Sequence, residues 1–206
     1  MEYVRLSGQF PKLTKSAVTL GKFDGIHRGH RKLIRTILER KKEYGELAVV
    51  MAFVSDRQMI FTSEERRTYL AKMGVDVLLE CPLNDEIKHM KAENFIRQIL
   101  KGDLQAECVV VGEDFRFGYE RKGTPELLQK FGEKYEYETV VISKEMEGSR
   151  KISSTYIREE LKKGNMEKIQ DLLGRPFACQ AELNMAGGWD TGISFLLPIS
   201  FRQNRS

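Results

Sequence analysis

The stretch Val18–His30, VTLGKFDGIHRGH, constrains this chain more than any other. Ala17–Leu20 is a short apolar run cut off at Gly21, the pattern of a buried strand. The glycine- and aspartate-bearing loop GKFDG follows, and then a polar start to an amphipathic helix in which Leu33, Ile34, Ile37 and Leu38 recur at helical spacing. His27 and His30 are three apart and share one face of that helix's first turn. The first N–H groups of a helix lack partners within it, and the helix dipole favours an anion there. Two imidazoles beside such groups, with a backbone approachable at Gly21, Gly25 and Gly29, make a phosphate site. The chemistry that suits it is phosphoryl or nucleotidyl transfer.

The rest of the chain alternates strand and helix. Leu47–Val54 (LAVVMAFV) is almost continuously apolar, as a strand covered on both faces should be. Ser55–Ile60 reads as a polar connection, and Thr62-Ser-Glu-Glu65 has capping-box spacing that opens a helix running to about Lys72. Val75–Leu79 gives a third strand, Pro82–Lys91 a loop or irregular helix, and Ala92–Leu100 a helix. Cys108–Val111 and Tyr137–Ile142 are further strands, flanking a helix over Pro125–Tyr135 that starts on proline. Ser154–Lys163 and Met166–Leu173 complete the helices. The pattern predicts an α/β fold, a doubly wound parallel sheet of about five strands with right-handed crossovers. Ligands in such sheets bind outside the carboxyl ends of the strands, so Gly21–His30, Gly112–Gly118 and Gly148–Arg158 should meet at one edge.

Two of those loops carry chemistry of their own. Val109–Gly118 (VVVGEDFRFG) runs from a strand into Gly112, then holds the polar groups of Glu113, Asp114 and Arg116 where a substrate would lie. Phe115 and Phe117 there either wall a ligand or fill core. In Lys151–Leu161 (KISSTYIREEL), Ser153, Ser154 and Thr155 precede a helix, where hydroxyls cap N–H groups or bind phosphate oxygens. Capping accounts for one hydroxyl; it does not account for three followed by Arg158, whose planar fork reaches the same anion.

Composition narrows the field. Hydrophobic residues make up 41% of the 206, enough for a core, and no run approaches a membrane span. Cys81, Cys108 and Cys179 are scattered without metal spacing and read as reduced thiols of a cytoplasmic protein; the start MEYVRLSGQF has no apolar signal region. A net charge of +4 suits anionic small substrates, and without a dense basic stripe it gives no nucleic-acid footprint.

In this order, LGKFDGIHRGH, VVVGEDFRFG, ISSTYIREEL and the closing LLGRPF resemble the adenylyltransferase module of bacterial FAD synthetases, in the HxGH nucleotidylyltransferase superfamily, over about Ala17–Phe177. The resemblance implies a Rossmann-like fold over residues 1–177 and adenylyl transfer from ATP to FMN, with Mg²⁺ and no covalent intermediate. It implies that His27 and His30 stabilise the α-phosphate and that Ser153, Ser154 and Arg158 hold the outer phosphates, beside Thr155 and the loop residues Gly21, Lys22, Phe23, Asp24 and Gly25. Gly112–Phe117 falls to FMN, and no protein ligand is assigned to a metal. Asp24 either orients its loop or touches metal-bound water. Lys22 stands where the family often has Asn, and Phe53 is followed by Val-Ser-Asp-Arg-Gln in place of a Phe-x-Pro-His-Pro stretch. Transfer to another phosphorylated acceptor, or a non-catalytic flavin- or nucleotide-binding regulator, therefore remains open beside FMN adenylyltransferase.

Residues 178–206 read as a short remnant of the family's riboflavin kinase module. Gly188, Gly192 and Pro198 keep that module's spacing, but Ile199 and Phe201 replace its Thr and Asn, and neither offers an oxygen to Mg²⁺. The apolar tail is expected to pack on the main domain or a second subunit, or else to be poorly ordered. Riboflavin with ATP is expected to yield neither FMN nor FAD, whereas FMN with ATP yields FAD. Chromatography of the flavins checks this, and FMN formed from riboflavin by contaminant-free protein would refute it.

Overall fold

The computed structural model describes residues 1–54 and 60–177, together with the backbone of two short strands at 179–181 and 195–197. Six strands form one parallel sheet in the order β1-β4-β3-β2-β5-β6. They are β1 (Glu2–Arg5), β2 (Ser16–Gly21), β3 (Leu47–Val54), β4 (Val77–Pro82), β5 (Ala106–Gly112) and β6 (Glu138–Ile142). The long helices are α1 (Arg28–Tyr44), α2 (Ser63–Met73), α5 (Pro125–Tyr135), α6 (Ser154–Lys162) and α7 (Met166–Leu173). From β2 the chain steps outward through β3 to β4, then crosses back to lay β5 on the other side of β2. That reversal creates a crevice at the carboxyl ends of β2 and β5, where this class of sheet takes its ligands.

The sheet has six strands rather than about five. β1 is the addition, pairing Glu2–Arg5 with Val77–Glu80 at the edge. Four residues with charged ends give no strand pattern of their own; pairing with β4 makes them one. Pro82–Lys91 contains the short helix α3 (Asp85–His89), and the helix expected over Ala92–Leu100 divides in two. Ala92–Asn94 (α4) is α-helical, and Phe95–Asp103 is a π-helix whose last bond runs from Leu104 N–H to the Ile99 carbonyl at 2.8 Å. Such wide turns are uncommon and often sit at functional sites. The capping box at Thr62 and Glu65 is present as its spacing predicts. The expected connection at Ser55–Ile60 lies, but for Ile60, outside the described residues, as do the side chains of the tail; the two tail strands, β9 (Cys179–Ala181) and β10 (Phe195–Leu197), pair antiparallel. β7 (Met146–Glu147) and β8 (Arg150–Lys151) form a small hairpin before α6.

Apolar clusters cover both faces of the sheet. Leu33, Ile34 and Ile37 of α1 pack with Ala48, Val50 and Val110 on one side; Phe95, Ile96 and Ile99 pack with Leu20, Val109 and Val111 on the other. A third cluster, Ile152, Ile157, Ile169, Leu172 and Leu173, holds α6 and α7 together. Among the described residues, no helix is long and apolar enough to cross a membrane.

One ion pair is sunk in this frame. Arg66 Nη1 lies 3.2 Å from Glu80 Oε1, each side chain only 1% exposed. The other Glu80 oxygen accepts from the Tyr3 hydroxyl at 2.9 Å and Ser63 Oγ at 3.2 Å, so one carboxylate joins β4, β1 and α2. Removing one partner of a buried pair strands the other charge away from water. Glu80→Ala is expected to destabilise the fold by about 3–5 kcal/mol in urea unfolding, and a wild-type midpoint would show that the pair contributes nothing.

Candidate active site

β2 ends at Gly21, and the loop beyond it turns through three left-handed residues: Phe23 (φ 47°), Gly25 (φ 80°) and Ile26 (φ 44°). Glycine takes that conformation freely, but side-chain-bearing residues take it only when their surroundings hold them. Phe23 and Ile26 are held by full burial. Asp24, 1% exposed, accepts from Ile60 N–H at 2.6 Å with one carboxylate oxygen and pairs with Arg158 through the other. Its backbone carbonyl accepts from Ser154 Oγ at 2.8 Å, and the Gly25 carbonyl accepts from Arg175 at 3.1 Å. The loop is thus clamped to α6 and to the segment after α7.

The clamped loop delivers His27 to the start of α1. His27 is the N-cap, and its Nδ1 accepts from His30 N–H at 3.4 Å, leaving Nε2 to carry the proton of a neutral ring. The two imidazoles stack with centroids 3.8 Å apart, and Phe23 backs His30 at 4.9 Å. Burial lowers the pKa of His27 to about 4, with the positive charge of Lys151 adding to the effect. Burial also holds His30 well below its usual value, helped by His27 and Lys151. Both rings are therefore neutral at pH 7. His30 Nδ1 is buried and has no hydrogen-bond partner among the described residues. The first turn of α1 has no acidic residue of its own, and the neighbouring Glu145 carboxylate is neutralised by Arg28 and Lys32.

A cavity of about 820 Å³ opens over this helix start, lined by the ends of β2, β5 and β6. Gly21, Lys22, His27, His30, Lys151, Ser153, Ser154 and Thr155 make its polar side, and Phe53, Leu83, Ile87, Phe95, Phe115 and Phe117 its apolar side. Phe95 and Phe117 meet at 5.5 Å, and Phe115 stacks on Phe117 at 5.6 Å. The alternatives for these two phenylalanines are both realised, since each packs against core and lines the cavity. Ionic staples bring the third loop in: Arg28 bonds Glu145 and Glu147, each at 2.9 Å, and Lys168 bonds Glu147 at 2.7 Å.

The three loops do converge, with differences in detail. Gly112, Asp114, Phe115, Arg116 and Phe117 line the cavity, whereas Glu113 turns to Lys144 at 3.2 Å. Phe23, Asp24 and Gly25 lie in the interior and shape the loop instead of lining the cavity. Of the two roles expected for Asp24, orienting the loop is the one its contacts show. Arg158 faces Asp24 and is absent from the cavity wall; Ser153 caps α6, its Oγ accepting from Tyr156 N–H at 3.2 Å. The sequence did not mark Lys151, Phe53 or Phe95: a lone lysine before a Ser-Ser-Thr run has no periodic signature, and the phenylalanines sit within apolar stripes that read as core.

The FAD synthetase family model matches residues 9–156. The chain belongs to the FAD synthetase family. Among curated relatives, the bifunctional riboflavin kinase/FMN adenylyltransferase of Escherichia coli K12 is 35% identical over 171 residues, 78% of this chain and 55% of that protein. The protein of the same name from Buchnera aphidicola (Schizaphis graminum) is 32% identical over 176 residues, covering 80% and 56%. That from Pseudomonas fluorescens is 33% identical over 189 residues, covering 86% and 60%. The chain thus spans a little over half the length of these relatives. A crystal structure titled as a macrolide-efflux protein from Streptococcus pneumoniae superposes with a TM-score of 0.77 at 27% identity, covering 87% of this chain and 72% of its own. This FAD synthetase family chain therefore shares its overall fold with that structure.

A neutral buried histidine leaves a trace in stability. With the folded pKa of His27 near 4 and the usual value 6.5, the unfolded chain binds more protons between those limits. Stability present above pH 6.5 is then lost as the pH falls. Between pH 7 and pH 5 the loss from His27 is about 2 kcal/mol. Urea unfolding of the wild type and His27→Gln checks this, and an equal acid loss in both proteins would assign it to other groups.

Proposed function

We propose that this chain transfers the adenylyl group of ATP to FMN, releasing FAD and pyrophosphate. The observation that carries the proposal is the single cavity itself. It joins a helix start with two stacked neutral imidazoles to an aromatic wall, as a reaction between a triphosphate and a phosphorylated aromatic ring requires. The flavin ring lies against Phe53, Phe95, Phe115 and Phe117, and its phosphate points toward His27 and His30. The triphosphate takes the N-terminal ends of α1 and α6, with Thr155 and Ser153 on its outer phosphates.

His27 and His30 act as preorganised hydrogen-bond donors to the α-phosphate oxygens, where charge builds in the transition state. A neutral imidazole needs little solvent rearrangement to do this. The loop clamp and the α6 cap fix the distance between the two phosphates, which makes the displacement effectively intramolecular. No nucleophilic side chain is required, because the acceptor phosphate is itself the nucleophile.

Mg²⁺ fits this site as a companion of the triphosphate. Among the described residues, no group of three or more His, Cys, Asp or Glu side chains forms a metal cage, and this cation commonly binds through substrate phosphates and water. When bound it neutralises the outer phosphates. We place the reaction in the cytoplasm, in keeping with the free thiols of Cys81 and Cys108.

Purified protein with ATP, Mg²⁺ and FMN is expected to form FAD and pyrophosphate. His30→Ala should lower turnover about a hundredfold to a thousandfold, the usual loss on deleting one preorganised donor, with circular dichroism showing retained fold. No FAD from the wild type, or an undiminished rate in the variant, overturns the proposal.

A further inference from the structure

The loop that presents His27 passes through left-handed backbone at Phe23, Gly25 and Ile26. Two of these carry side chains, so the conformation lasts only where contacts enforce it. Asp24 is fixed by Ile60 N–H at 2.6 Å and by Arg158, and its carbonyl accepts from Ser154 Oγ at 2.8 Å. The next carbonyl, that of Gly25, shares a peptide plane with the N–H of Ile26. Its orientation therefore sets the turn into Ile26 and, one residue on, the His27 cap of α1. Arg175 Nη2 donates to that carbonyl at 3.1 Å, from 150 residues further along the chain.

The placement of Arg175 is costly. It is half-buried near a second guanidinium, that of Arg31; burial lowers its pKa, and the charge of Arg31 lowers it further. Its Nε is buried and has no hydrogen-bond partner among the described residues. A fitted slot offsets this. The guanidinium lies over the Phe61 ring at 4.5 Å and the Tyr69 ring at 4.6 Å, and Nη1 donates to the Pro176 carbonyl at 3.1 Å. A cation over aromatic faces is attracted to them, and a planar fork held there has its remaining donors fixed in direction. The root of the side chain is fixed too. Gly174 ends α7 in left-handed backbone, and its carbonyl accepts from Arg31 Nη1 at 2.5 Å. The Arg31 N–H in turn donates to the His27 carbonyl at 2.9 Å. Thus α1 holds the end of α7, and the end of α7 holds the loop into α1, with His27 enclosed in that circuit. Arg175 is absent from the cavity wall, and it lies beyond residues 9–156 matched by the family model.

We propose that Arg175 is a positioning residue for adenylyl transfer: by holding the Gly25 carbonyl from the end of α7, it fixes the direction in which His27 and His30 meet the reacting phosphate. This rests on the FAD-forming reading of the site. The segment leaving α7 is then part of the frame of the active site, although it touches no substrate.

Arg175→Met keeps an apolar stem against the two rings but offers no donor to Gly25. It is expected to lower kcat for FAD formation about tenfold to a hundredfold, the scale of a small misplacement far from the chemistry, with KM for ATP and FMN little changed. Arg175→Lys restores a donor and is expected to recover part of that loss. Proton NMR of the imidazoles in the substrate-free protein gives a second readout. The ring-proton signals of His27 and His30, set by their stack at 3.8 Å, are expected to move in Arg175→Met, while those of His89 stay in place. Tyr69→Leu removes one ring from the slot and leaves the loop untouched. It is expected to move both readouts the same way by a smaller factor, and it carries the test if Arg175→Met does not fold. A lower melting temperature with kcat and the His27 and His30 signals at their wild-type values makes Arg175 a stability contact alone and overturns the proposal. A loss confined to KM overturns it as well. A wild-type chain that forms no FAD overturns the wider reading instead, and the imidazole signals still decide whether Arg175 sets the histidines.

Discussion

The site depends on one buried carboxylate. Asp24 lies in the interior, where an unpaired charge is very costly, and its partners come from distant parts of the chain: Ile60 after β3 and Arg158 on α6. Satisfying that charge requires α6 to dock against the loop after β2. Docking brings Lys151 and the Ser-Ser-Thr run to the cavity, and it holds Phe23 and Ile26 in backbone conformations they would not keep in isolation. The strain in the loop and the placement of the histidines follow from the same ion pair.

Much of this was legible in the sequence, for identifiable reasons. Buried parallel strands such as Leu47–Val54 declare themselves by unbroken apolar runs, and proline and threonine mark helix starts at Pro125 and Thr62. The convergence of three loops follows from topology once strand and helix alternate. What escaped depends on contacts between distant residues. β1 becomes a strand through β4, and the wide turns from Phe95 onward come from packing that helical periodicity does not report. The spacing of Arg158 after three hydroxyls suggests a phosphate ligand; its pairing with Asp24, 134 residues away, is what no local pattern announces.

Charge and neutrality divide the labour in the cavity. Burial strips the histidines of charge and makes them donors of fixed direction, while the lysines keep theirs at the more exposed parts of the wall. A site of permanent cations alone would hold the triphosphate tightly before and after reaction alike. On the proposed reading, neutral donors aimed at the reacting phosphorus would favour the transition state over the bound ground state, the differential that catalysis needs.

The strand order also bears on how the chain is made. Because the sheet runs β1-β4-β3-β2-β5-β6, the central strand β2 emerges early from the ribosome but lacks one neighbour until residues 106–112 have been synthesised. Its apolar edge, Ala17–Leu20, stays open through that interval. β1, made first of all, waits for Val77–Pro82 before it has any partner. Parallel pairings of this range close slowly and expose unpaired edges meanwhile. The same reversal of strand order that opens the crevice therefore leaves an edge of the central strand unpaired until late in synthesis.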